Sequence, residues 1–174
     1  GMALVNHFLW LVKETHPDSW SMENVVPMRK RLPEHIPASI LNAADFGVPQ
    51  SRRRCFAGEG WKATPTHTKD EWVSVLDALP YINDLSPIEW MQDRYKYADK
   101  DKPYPTVTSQ SPKHLRIETA VKIRSLTVEE SGILQGFPSD YNWEPAKKQK
   151  YRWTIVGNAV PPAMMAAVIR GIQQ

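Results

Sequence analysis

The chain has 174 residues, 41% hydrophobic and 24% charged, which suits one domain, or one domain with a small lobe, built around an apolar core. Its single cysteine, Cys55, excludes an intrachain disulfide and a cysteine-built zinc site, and His7, His16, His35, His67 and His114 lack metal-ligand spacing, so no metal is expected. A formal net charge of +3 permits an anionic partner without demanding one, and no apolar run has membrane-spanning length, so an intracellular setting without a membrane partner is expected.

Gly1 ahead of Met2 resembles a tag-cleavage remnant outside the fold. Leu4, Phe8, Leu11 and Val12 recur at helical spacing and predict an amphipathic helix over 3–15, stopped by Pro17. Residues 19–26, bounded by Pro17 and Pro27, predict a short strand that ends in polar residues. Helix then strand is an α/β unit, in which the carboxyl ends of parallel strands line the ligand crevice. Glu23 and Asn24 therefore sit either at a working edge or at an ordinary surface strand end. From 36 to 58 two strands joined by a loop are expected, the loop running through Asp45, Gly47 and Pro49 into Gln50, Ser51 and three consecutive arginines. Adjacent guanidiniums repel one another. The run of Arg52, Arg53 and Arg54 is thus either a solvated basic turn or an element facing an electron-rich partner, where planar donors suit phosphate oxygens or base edges.

Beyond residue 62 the composition changes. A helix is expected over 71–79, then a polar, aromatic stretch over 86–102 in which Trp90, Tyr95 and Tyr97 interleave with Lys96, Lys100 and Lys102. Nucleic-acid surfaces and ordinary protein surfaces share that pattern. Thr127 with Glu130 three residues on fits a capping box, and Gly136 and Pro138 end a helix over 127–135. Lys147, Lys148, Lys150 and Arg152 read as a solvated basic face. In the segment 157–162, Gly157 permits an unusual backbone, Asn158 hydrogen-bonds in both directions, and Pro161 and Pro162 suit the first turn of a helix over 163–172. A strand, a tight Gly-Asn turn and a helix start is either a small-molecule contact or a structural turn.

Taken in order, these landmarks resemble the C-terminal part of the DNA (cytosine-5) methyltransferase family over nearly the whole chain. Glu23, Asn24 and Val25 look like its Glu-Asn-Val motif, and Gln50, Arg52 and Arg54 match its Q-x-R-x-R motif. Residues 105–108 are similar to the segment after the family's recognition region, 124–138 to its penultimate motif with Leu-Gln-Gly-Phe-Pro, and 157–162 to its last, Gly-Asn-Ala-Val-Pro-Pro. The resemblance implies an α/β fold, the C-terminal part of a Rossmann-like methyltransferase domain with a small recognition lobe inserted before the last helix. The expected division is 2–61 as the C-terminal half of the catalytic domain, 62–150 as the target-recognition lobe, and 151–174 returning to the catalytic domain.

Methylation at C5 of cytosine requires a thiolate to add at C6 while charge developing at N3 and O2 is stabilised. By resemblance, Glu23 would bond to N3 and the N4 amino group, Arg54 would donate to O2 of the flipped base, and Arg52 would support the catalytic loop or backbone. Asn24 and Gln50 would shape the pocket, with Arg53 a solvent-facing spacer. Asn158 and Ala159 would contact S-adenosylmethionine, as part of its site only. DNA is the implied partner, since flipping a base out of the duplex needs compensating phosphate contacts; the motifs do not separate DNA from RNA.

The family's F-x-G-x-G donor loop, the acidic residue that holds the donor ribose, and the Pro-Cys dipeptide have no counterpart in these 174 residues. Cys55 follows Arg54 on an expected strand and reads as a small core residue, not a nucleophile. The expectation is a fragment or subunit that is inactive alone and works with an N-terminal half carrying those parts, unpaired strand edges being covered by that half or in a homodimer. The alternative is a non-catalytic module of the same fold that binds nucleic acid or a partner.

Overall fold

The computed structural model describes residues 1–84, 88–90, 96–109, 115–118, 123–124 and 126–172. A three-stranded sheet places β4 (Arg53–Glu59) between β1 (Trp20–Asn24) and β2 (Ala38–Asn42), antiparallel to both. β1 and β2 therefore run in the same direction without touching, since the reversed strand β4 fills the gap between them. The register, Asn24 opposite Cys55 and Asn42 opposite Arg53, brings the ends of β1 and β2 to the start of β4. Polar strand ends and arginines thus converge at one edge. β1 stops where Val25 turns into a 3-10 helix, Val26–Lys30, started by Pro27.

Side chains alternate across the sheet and two layers pack against it. On one face α1 (Met2–Thr15) buries Val5, flanked by Phe8, Leu9 and Val12, against Trp20, Met28, Cys55 and Ala57. The expected stripe through Leu4 and Leu11 is rotated: Leu4 is 75% exposed and Leu11 41%. Positions 2, 5, 9 and 12 fit the helical period equally well, and contact with Trp20 and Met28 decides between them. On the other face α5 (Pro162–Arg170) packs Met164 and Val168 onto Phe56 and Phe46. Phe56 is fully buried, and a side chain of that size contributes about 1.5–3 kcal/mol.

A separate core joins Leu79, Tyr104, Val107, Leu134, Trp153 and Val156. It is built by α2 (Val75–Ala78), α3 (Val128–Gln135) and α4 (Gln149–Asn158). The expected helix over 71–79 is shorter than predicted, because Ser74 caps α2 in a box with Asp77, and a 3-10 turn, Lys69–Glu71, precedes it. α3 follows expectation: the Thr127 hydroxyl accepts from the Glu130 N–H, and Gly136 closes the helix at φ 91°. The segment before Gly157 is helix α4, not a strand. Trp153 and Val156 are buried at i, i+3 spacing, and the Gly157 backbone is not in a positive-φ conformation. Gly157 is needed for contact instead, since a Cβ there would lie 2.0 Å from the backbone nitrogen of Ser109.

The two-residue strand β3 (Gln50–Ser51) pairs in parallel with β7 (Tyr104–Pro105), tying the arginine segment to the second core. A small sheet in the order β6-β5-β8-β9 is made of Ile88–Trp90 (β5), Lys96–Ala98 (β6), Leu115–Glu118 (β8) and Ile123–Arg124 (β9). Tyr95 lies outside the described residues, and Trp90, Lys96 and Tyr97 are described by backbone alone. Lys102 pairs with Asp99 at 2.8 Å on the surface.

Candidate active site

Glu23 and Arg54 meet where β1 ends and β4 begins. Glu23 lies opposite Phe56 and Leu41 opposite Arg54, so strand alternation puts Glu23, Arg54, Phe56 and Leu41 on the α5 face. The Arg54 Nε donates to Glu23 Oε1 at 3.0 Å, both side chains being partly exposed, and Arg54 Nη1 donates to the Arg53 carbonyl oxygen at 2.8 Å. Asn24 Oδ1 accepts from the Val25 N–H at 2.9 Å and fixes the turn that follows Glu23. Arg53 is exposed. Cys55 is buried against α1, on the opposite face from the ion pair.

Arg52 is 2% exposed and points inward. Its Nη1 donates to the Val107 carbonyl oxygen at 2.8 Å and its Nη2 to the Gly157 carbonyl oxygen at 2.9 Å, while its buried Nε has no partner among the described residues. Gln50, fully buried, accepts at Oε1 from the Val107 N–H and donates from Nε2 to the Leu134 carbonyl oxygen and to Gln135 Oε1. Gln135 Nε2 donates to the Ala159 carbonyl oxygen at 2.7 Å. Gln50 thus faces the interior and not the open strand edge. Asn158 is exposed at the end of α4, beside the two inward-facing carbonyls.

Burial sets the electrostatics. It raises the Glu23 carboxyl above its ordinary range, against the opposing pull of the Arg54 and Arg52 charges. Burial likewise lowers Arg54 against the pull of Glu23, so removal from water outweighs pairing for both partners. Arg52 is brought down to about 10 by burial and then by the charge of Arg54, which still leaves it protonated at neutral pH. Burial raises the Cys55 thiol, the reverse of what a nucleophile requires. A carboxyl that holds its proton more readily, beside a guanidinium donor, suits a ring on which negative charge develops.

Val107 and Gln135 were not singled out from the sequence. The signal for Gln135 was present: Val128, Ser131 and Gln135 recur at i, i+3 and i+7 on the buried face of α3, so an amide occupies a core position and must find partners. A cavity of about 280 Å³ is lined by Pro37, Ser39, Leu41, Phe56, Gly58 and Trp61, and two of these, Phe56 and Leu41, are the cross-strand partners of Glu23 and Arg54.

The model of the C-5 cytosine-specific DNA methylases matches residues 58–174. The chain belongs to that family. It is 29% identical over 230 residues to the type II methyltransferase M1.HphI of Haemophilus parahaemolyticus, covering 97% of this chain and 60% of the relative. It is 23% identical over 243 residues to the type II methylase M.HgiDII of Herpetosiphon aurantiacus, covering 98% of this chain and 69% of the relative. The fold is that of solved methyltransferases. EhMeth of Entamoeba histolytica superposes with a TM-score of 0.58 at 17% identity, over 90% of this chain and 62% of that one. The Dnmt2 methyltransferase of S. pombe does so with 0.56 at 13% identity, over 88% and 64%. This C-5 cytosine methylase chain therefore spans 60 to 69% of the length of those two curated relatives. Both aligned stretches exceed its 174 residues, so the relatives carry insertions relative to it.

Proposed function

We propose that this chain supplies the base-pocket part of a DNA cytosine-5 methyltransferase. The Glu23–Arg54 pair carries the reading, as a partly buried acid and donor at one open strand edge. A thiolate adding at C6 of an extruded cytosine pushes electron density towards N3 and O2. Glu23 then holds a proton at N3 and accepts from the N4 amino group, while Arg54 turns a donor to O2. S-adenosylmethionine, when bound, offers the methyl carbon that C5 takes up. Loss of the C5 proton to a water molecule and departure of the thiolate from C6 restore the ring, and the N3 proton returns to the Glu23 carboxyl. Arg52 does not touch the base in this scheme; it braces the backbone behind it.

The residues present fit one wall of an S-adenosylmethionine site. Asn158 is exposed while the carbonyls on either side of it are held inward by Arg52 and Gln135, which leaves the Asn158 side chain and the flank of Ala159 to meet a donor. The donor loop and the nucleophilic Pro-Cys come from a complementary N-terminal segment, since Cys55 lies on the wrong face of the sheet. Among the described residues β1 and β2 each pair only with β4, so the outer edge of β1 is open to a strand of that segment. Residues 62–150 form the target-recognition lobe in this reading. Their type II character supports a restriction–modification setting and double-stranded DNA as substrate.

The test is methyl transfer to cytosine-rich DNA by the chain alone and with a fragment carrying the donor loop and Pro-Cys. No turnover alone and turnover on mixing is expected. Turnover by the isolated chain contradicts the reading. Salt-dependent duplex binding without any rescue of activity replaces it with a nucleic-acid-binding module.

A further inference from the structure

We infer that Gln135 is a positioning residue, which closes a buried ring of hydrogen bonds holding Arg52 and the 157–159 turn in fixed relation. Its importance for methyl transfer rests on the function proposed above. The ring is read directly from the bonds: Gln135 to Gln50, Gln50 to the Val107 N–H, the Val107 carbonyl to Arg52, Arg52 to the Gly157 carbonyl, and two residues on, the Ala159 carbonyl back to Gln135. The Val107 backbone is gripped at both its N–H and its carbonyl, one in each of the two peptide groups flanking its Cα. The turn is gripped twice as well, by Arg52 at Gly157 and by Gln135 at Ala159. Gln135 joins residues 85 apart in sequence on one side and 24 on the other, so it links the arginine segment to the last turn through α3.

The chemistry at position 135 is specific. The Ala159 carbonyl needs a donor, which assigns Nε2 to that side and leaves Oε1 to accept from Gln50. An ionised carboxylate would keep the bond from Gln50 but turn lone pairs on the Ala159 carbonyl. A protonated carboxyl restores both bonds, one oxygen accepting and the hydroxyl donating. Methionine fills similar volume and makes neither. Arg52 is the charged group of the ring, and Glu130 on the same helix is engaged with the Thr127 N–H and the Tyr81 hydroxyl.

Gln135→Glu and Gln135→Met are therefore compared with the parent chain in two measurements. In thermal unfolding of the isolated chain, the introduced carboxyl has its folded-state pKa raised by burial beside a carbonyl. Its stability is thus complete below the unfolded value and lost as pH rises through the folded one. The gap between Gln135→Glu and the parent is expected to be small near about pH 5 and to widen towards about pH 8, while the Gln135→Met gap stays level. In the reconstituted enzyme both variants are expected to lose roughly 10-fold to 100-fold in kcat with KM for DNA little changed, Gln135→Glu alone recovering as pH falls. A Gln135→Glu gap that ignores pH, or parent-like stability and rate in Gln135→Met, overturns the inference. A parent complex without turnover removes the methyl-transfer reading and with it the catalytic role of Gln135, while the unfolding measurement alone then decides the ring.

Discussion

Arg52 and Arg54 are two residues apart, carry the same group, and stand in opposite situations. Arg54 is at the strand edge with one acid beside it and part of its surface in water; Arg52 is enclosed, and its partners are two backbone carbonyls drawn from distant segments. The difference follows from where the strands begin. β3 carries Gln50 into the second core, β4 starts at Arg53 and turns Arg54 to the α5 face, and Arg52 falls between them. A run of three like charges is tolerated because one is paired, one is solvated, and one is held by carbonyl dipoles. Edge position leaves a guanidinium free to change partners, whereas burial makes it a brace.

If that contrast is right, removing the brace and removing the edge charge have different costs. Arg52→Met strips donors from two buried carbonyls and should lower unfolding stability by about 2–4 kcal/mol in urea titration, whereas Arg54→Met should stay within about 1 kcal/mol. Equal effects would erase the distinction. Gly157→Ala probes the same brace from the other side. Its Cβ would meet backbone at Ser109 and Thr108, so the helix must move, and a loss of about 1–3 kcal/mol is expected. Unchanged stability there would mean that α4 does not press on that backbone.

The smallest effect concerns the edge acid. Because burial raises the Glu23 carboxyl from its ordinary 4.5, its contribution is complete below that value and declines as pH rises through the raised one. Glu23→Gln should therefore flatten the pH dependence of unfolding just above 4.5 and leave stability at neutral pH nearly unchanged. A large neutral-pH loss would show that the ion pair, not the burial, dominates.

Much of this was legible in local pattern. Thr127 with Glu130 announced α3, Pro162 opened α5, and the order of Glu23, the arginines and the last turn pointed to the family that the comparison with residues 58–174 shows. What failed to show was decided by tertiary contact. α4 looked like a strand and turn because Gly157 suggests a bend, yet that glycine serves a close approach to Ser109. α1 offered two apolar stripes of equal period, and Trp20 chose between them. Gln50 carries a motif position but works in the interior; α3 periodicity marks Gln135 as a buried amide, but its pairing with Gln50, 85 residues away, has no local signal.

The most direct measurement is the methyl-transfer rate of Arg54→Ala in the reconstituted enzyme, taken together with its unfolding free energy. A rate loss of about 100-fold or more, with stability within about 1 kcal/mol of the parent, is expected for a group that acts on the base and not on the fold. A parent-like rate, or a rate lost only in proportion to unfolding, would contradict the assignment of the Glu23–Arg54 edge as the cytosine pocket.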